Sequence, residues 1–160
     1  KDSFKAEVFL KVADQFQLDT NLASPAQVRQ KLREIVFNDE AKKADLEKIL
    51  HPAIQKCSSE LFETERKKRT DLVIYEASLI FEANRASGFD GVLVVWASDQ
   101  NQLNRVKLRN PGLSEATIRT ILDSQMSQKE KIKKATWVIE NNSTKEALER
   151  SVKTFLAQVL

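Results

Sequence analysis

At 160 residues, 41% hydrophobic and 31% charged, the chain has the composition of one soluble globular domain with room for a real core. Lys and Arg number 26 against 23 Asp and Glu, a formal +3 that is too mild to argue for nucleic acid and suits a phosphorylated ligand equally well. A lone cysteine, Cys57, excludes an intrachain disulfide and a cysteine metal cluster. No apolar run approaches the ~20 residues that cross a bilayer, and the first residues lack a signal peptide's apolar region. These features predict a cytoplasmic protein with neither nucleic acid nor membrane as partner.

Residues 1–17 carry Phe4, Val8, Phe9, Val12 and Phe16 at helical spacing. Ser24-Pro25-Ala26-Gln27 spells a helix start, with Ser24 as N-cap, Pro25 where its missing N–H costs nothing, and Gln27 closing a capping box. That helix should run to about Phe37, where Asn38 and Asp39 stop it and begin the next. His51-Pro52 is expected to interrupt the helix that Asp39 begins, because proline supplies no N–H and disfavours helical backbone in the residue before it. Pro52 would then open a further helix ending at the basic run Arg66-Lys67-Lys68-Arg69, which suits a helix C-terminus. His51, the sole histidine, has two readings from spacing: a cap for the preceding helix, or a substrate contact aimed from a helix break.

Two apolar runs, 72–75 and 92–96, read as buried strands of a parallel sheet. Between them, 78–86 carries one carboxylate, Glu82, beside Leu79, Ile80 and Phe81. Ser98 or Asp99 caps a helix bearing Leu103, Val106 and Leu108, and Asn110-Pro111-Gly112 turns the chain. Ser114 starts a short helix, and Ser127-Gln128-Lys129-Glu130 is a capping box for another. Arg105, Arg109 and Arg119, with Lys107, Lys129, Lys131, Lys133 and Lys134, concentrate positive charge there. It is either a solvated face or a mobile flap whose guanidinium forks match phosphate oxygens. A third strand, 136–140, ends at Asn141-Asn142, and Ser143 caps a last amphipathic helix. Strand, loop, strand, helix is the grammar of an open α/β sheet, with ligands beyond the carboxyl ends of the strands. Residues 76–82 and 98–102 should therefore frame any site.

Six segments in series carry a resemblance that periodicity does not supply: LREIVFND (32–39), LEKILHPAI (46–54), SLIFE (78–82), VLVVWASDQNQLNRVKLR (92–109), ILDSQMSQKEKIKKA (121–135) and VIENN (138–142). In order and spacing they resemble dephospho-CoA kinases, P-loop kinases that transfer the ATP γ-phosphoryl group to the ribose 3′-hydroxyl of dephospho-CoA, the last step of coenzyme A synthesis. The resemblance implies an α/β, P-loop kinase-like three-layer parallel sheet with flanking helices, as a single domain over 1–160. An acceptor-binding helical region would span about 20–69 and a small helical lid about 105–134. By the same resemblance His51, Arg29, Arg33, Leu79, Ile80, Phe81 and Glu82 would face dephospho-CoA, which favours the functional reading of His51. Arg105 and Arg109 would support the lid over the phosphates, and Gln125 and Asn141 would meet the nucleotide. ATP with Mg²⁺ would be the donor, with no metal ligand in this chain. Ser78, Asn110 and Thr136 depart from the family's usual proline, aspartate and aspartate.

Members of that family also carry a first strand with a G-x-x-x-x-G-K-[ST] phosphate loop and a second strand with the acidic motif of the general base. Gly88, Gly91 and Gly112 do not form such a loop, so the fold is expected to lack those two strands. The first would lie between 72–75 and 92–96, and its absence should leave two apolar strand edges facing a gap. Two functions follow. One is a dephospho-CoA kinase whose nucleotide-binding front is not in this sequence, so that the chain as it stands is inactive. The other is a non-catalytic relative that binds a CoA-like or nucleotide ligand or a partner protein.

Overall fold

The computed structural model describes residues 2–19, 24–37 and 39–160. By its contacts the chain falls into two compact units, Lys1–Val73 and Ile74–Leu160.

The first unit is helical: α1 (Asp2–Gln15), α2 (Pro25–Phe37) and α3 (Glu40–Lys68). Both α1 and α2 pack on α3; Val12 and Ala13 of α1, Phe16 just beyond it, Val28 of α2 and Ser58 of α3 are buried. The predicted capping box of α2 is present: the Ser24 amide donates to Gln27 Oε1 at 2.8 Å and the Gln27 amide to Ser24 Oγ at 3.4 Å. Asp39 caps α3 by accepting from the Lys42 amide at 2.9 Å, while the expected part of Asn38 lies outside the described residues. Two helix ends close on non-glycine residues with left-handed backbone. At α1, Gln17 (φ 51°) donates to Asp14 O and Leu18 to Ala13 O; at α3, Arg69 (φ 57°) donates to Arg66 O and Thr70 to Glu65 O. Both are Schellman closures that satisfy otherwise orphaned carbonyls.

The expected break at His51-Pro52 does not occur, for α3 runs through Pro52 as one helix of 29 residues. Proline removes one i to i−4 bond and crowds the turn before it, which is costly in an isolated helix. Here Pro52 lies with Ile49, Ala53 and Lys56 along a shallow groove whose other wall is Phe4, Glu7, Val8 and Lys11 of α1. Packing against α1 outweighs the local preference to stop.

The second unit holds the sheet. β1 (Leu93–Trp96) and β2 (Trp137–Glu140) pair in parallel, Leu93 opposite Trp137 through Trp96 opposite Glu140. Residues 72–75, expected as a third strand, form none: they have no ladder partner, and Ile74 is 70% exposed. A strand is a property of a pair, and an apolar run with no neighbouring edge has nowhere to place its backbone hydrogen bonds. Of the expected parallel sheet the described residues show two strands, within a mostly helical protein.

α4 (Asp99–Arg109), α5 (Glu115–Asp123) and α6 (Gln128–Lys134) fill the crossover between the strands, and α7 (Lys145–Val159) follows β2 and packs on it. Ser98, Ser114 and Ser127 cap the crossover helices as their sequences require, Ser127 with both bonds of a capping box. The cap of α7 is Thr144 rather than Ser143, since the Thr144 hydroxyl reaches the Ala147 amide at 3.3 Å. Val94, Ala97, Leu103, Ile118 and Ile139 are buried, Ile118 completely. Leu108 is 86% exposed because, five residues beyond Leu103, it is turned about 140° away around the helix.

Candidate functional site

In the first unit His51 is exposed in the interior of α3. With no helix end beside it, the capping explanation falls away. Arg29 and Arg33 are exposed on α2, four residues apart and therefore on one face, with no ion-pair partner among the described residues.

In the second unit, 78–84 forms a helical turn. The Ala83 amide donates to Leu79 O at 2.9 Å, and Asn84 (φ 53°) closes the turn as Asn84 donates to Phe81 O and Arg85 to Ile80 O. Phe81 is buried beneath it, Leu79 is exposed, and Ile80 and Glu82 are half-buried.

Lys131 of α6 holds this turn. Its ammonium lies 3.1 Å from Glu82 Oε1 and donates to Ser78 O at 3.0 Å and to Gln125 Oε1 at 3.2 Å. The Met126 amide donates to the same Glu82 oxygen at 2.8 Å. Both side chains are largely covered, 12% exposed for Lys131 and 24% for Glu82. Burial acts to raise the Glu82 pKa, but the amides of Glu82 itself and Met126, with the hydrogen bond and charge of Lys131, more than offset it and hold the carboxyl below its ordinary range. Glu82 Oε2 is buried without a hydrogen bond of its own.

Glu82 and Gln125, which the sequence assigned to different ligands, thus meet at one lysine. Composition could not single it out: Lys129, Lys133 and Lys134 of the same short helix are exposed. With its ammonium committed to three acceptors, Lys131 leaves the set of cations open to a phosphate.

A second polar cluster sits at the carboxyl ends of the strands. The Asn141 amide continues the ladder to Trp96 O at 2.8 Å. It is the neighbouring Asn142 whose side chain joins the elements: Oδ1 accepts from the Ser98 amide at 2.7 Å and from Asn101 Nδ2 at 3.1 Å, and Nδ2 donates to Glu140 Oε1. Gln102 donates to Ala97 O at 2.8 Å. The paired asparagines after β2 were the sequence signal for Asn142, obscured because either could serve.

Arg105 and Arg109 lie four residues apart on α4, exposed and without an ion-pair partner among the described residues, whereas Arg119 is tied to Glu115 through Nε and Nη2. The glycines do other work: Gly91 makes room for the Trp137 indole before β1, and Gly88 and Gly112 lie in turns. Among the described residues no helix is long and apolar enough to cross a membrane.

In the second unit, helices accompany two parallel strands and polar side chains gather at the strands' carboxyl ends, which is the grammar of α/β proteins. A family profile described as Dephospho-CoA kinase matches residues 3–147. The dephospho-CoA kinase of Syntrophotalea carbinolica is 33% identical over 150 residues, covering 94% of this chain and 71% of that protein. Among solved structures, TT1252 from Thermus thermophilus superposes with a TM-score of 0.73 at 30% identity, over 99% of this chain and 82% of that one. Dephospho-CoA kinase from Campylobacter jejuni gives 0.61 at 29%, over 93% and 74%. The chain belongs to the dephospho-CoA kinase family, a family of phosphotransferases in coenzyme A biosynthesis. It spans between 63% and 71% of the length of the curated relatives it matches.

Proposed function

We propose that the chain supplies the acceptor-binding and lid elements of a dephospho-CoA kinase, which transfers the γ-phosphoryl group of Mg-ATP to the 3′-hydroxyl of dephospho-CoA. The family match over residues 3–147 carries this reading. In it His51, Arg29 and Arg33, and likewise Leu79, Ile80, Phe81 and Glu82, are the residues assigned to the acceptor. Arg105 and Arg109 bring two guanidinium groups, on one helical face and without an ion-pair partner among the described residues, to the phosphates. Gln125 and Asn141 serve the nucleotide.

The sequence contains no G-x-x-x-x-G-K-[ST] loop. Phosphoryl transfer depends chiefly on positioning and charge stabilisation, and the backbone amides of such a loop provide much of both. Residues 1–160 alone are therefore expected to bind dephospho-CoA but to bind ATP weakly and to transfer nothing. Calorimetric titration with each ligand, with and without Mg²⁺, tests this. Tight Mg-dependent ATP binding would place the nucleotide site on other residues and overturn the assignment. A longer protein joining this sequence to the phosphate loop should yield the 3′-phosphorylated product, and Arg105→Ala or Arg109→Ala in it should lower the transfer rate. Absence of product would refute the kinase reading in favour of a binding protein.

A further inference from the structure

Lys131 has a fixed base and a saturated head. Its backbone amide donates to Ser127 O at 2.9 Å, inside a first helical turn locked by the Ser127–Glu130 capping box. An ammonium has three N–H donors, and here three acceptors converge on it: Ser78 O at the start of the turn, Glu82 Oε1 near its end, and Gln125 Oε1 in the segment between α5 and α6. The separations in sequence are long, 53 residues to Ser78 and 49 to Glu82, so the lysine is a tertiary clamp rather than local helix chemistry. An arginine fork would favour two parallel bonds to one carboxylate, whereas three acceptors from three places call for the tetrahedral ammonium.

We propose that Lys131 is a positioning residue for the acceptor: it sets the 78–82 turn in its ligand-facing shape and ties that turn to Gln125, so one side chain fixes both. This rests on the reading that Leu79, Ile80, Phe81 and Glu82 face dephospho-CoA. Without the ammonium, Glu82 keeps only backbone amides, its own and that of Met126, and its half-buried carboxylate loses its counter-charge, so the turn loses the tie at both its start and its end. Ordering that turn then falls to the ligand, and affinity drops accordingly.

The test is calorimetric titration of the 160-residue chain with dephospho-CoA for the parent, Lys131→Met and Lys131→Arg, with hydrogen exchange read at the Met126 and Ile139 amides. Lys131→Met should weaken binding about tenfold or more, the size of a lost charge-assisted hydrogen bond. Exchange at Met126 should quicken while Ile139 in β2 stays protected, and Lys131→Arg, which restores the charge, should fall between. A lysine that merely stabilises the fold would lower the melting temperature and leave the affinity of the folded chain unchanged, and that result overturns the proposal while leaving the acceptor reading intact. No binding by the parent removes the acceptor reading and the proposal with it. If Lys131→Met does not fold, Lys131→Gln, which keeps a hydrogen-bond donor and discards the charge, decides: weaker binding supports the clamp, and parental affinity refutes it.

Discussion

Gly91→Ala should destabilise the second unit through one contact. Gly91 does not have positive φ, so alanine meets no backbone penalty; what it lacks is space. A Cβ there would lie closer than 3.0 Å to Cζ3 and Cη2 of Trp137 and 3.2 Å from Thr136 Oγ1, which accepts the Val92 amide at 3.0 Å. Carbon atoms rest at about 3.5–4.0 Å, so the indole must retreat by about 1.5 Å. It is poorly free to do so. Trp137 begins β2 opposite Leu93, and its ring stands edge-on to Phe155 of α7 with centroids 5.4 Å apart. Overpacking of this kind costs about 1–3 kcal/mol. For a chain of this size that corresponds to a fall of about 2–12 °C in melting temperature. Gly88→Ala and Gly112→Ala are the controls: a Cβ at either meets nothing within 4 Å, and limiting the unfolded chain should leave each neutral or stabilise it by about 0.4–1 kcal/mol. Thermal unfolding by far-UV circular dichroism, with the near-UV tryptophan signal alongside, compares the three. A Gly91→Ala protein that melts with the parent would refute the reasoning.

Pro52→Ala restores a helical N–H at the cost of an exposed ring that lines the groove beside α1, and should raise stability by about 1 kcal/mol, part of the roughly 3 kcal/mol difference in helix interiors. A lower melting temperature would show that the ring's packing is worth more than the missing bond. Ser127→Ala removes the acceptor of the Glu130 amide and the hydroxyl bonded to Glu130 Oε2 at 2.7 Å, and should cost about 0.5–2 kcal/mol. Unchanged exchange of the α6 amides would contradict it. Because the Glu82 pKa is depressed in the folded chain, the unfolded state binds its proton first as pH falls. Its contribution is complete above the ordinary carboxyl range and is lost as pH drops through the depressed value. Glu82→Gln should therefore flatten that part of the acid-unfolding curve, and a variant that follows the parent through the acid limb would sever Glu82 from stability.

What the sequence displayed was chemistry that acts within a few residues. Ser24, Ser98, Ser114 and Ser127 could be named as caps because a hydroxyl three residues before an amide needs no tertiary help. Strands at 92–96 and 136–140 were legible because β-branched and aromatic residues crowd both. Pro52 misled because its local preference is real and the packing of α1 that overrides it is invisible along the chain. Residues 72–75 misled because their composition suits a strand, while pairing belongs to two segments at once. At the site, Glu82 and Gln125 were reached through the resemblance, but the lysine that joins them stood among lysines of identical type. The roles of Asn141 and Asn142 could be separated only by seeing which side chain reached Ser98.

Three of the hydrogen bonds that close the second unit span one sequence distance, which bears on how it folds. Glu82 to Met126, Val92 to Thr136 and Ser98 to Asn142 each join residues 44 apart. Closing a flexible loop of that length costs about 3 kcal/mol in chain entropy beyond a constant, and parallel pairing returns nothing until the loop is shut. Between Ser98 and Asn142, α4, α5 and α6 shorten the loop as they form, so the pairing of β1 with β2 is expected to follow three short, serine-capped helices. Weakening Ser98, Ser114 or Ser127 should then slow folding more than it speeds unfolding, and a chevron in which only the unfolding arm moves would refute that order.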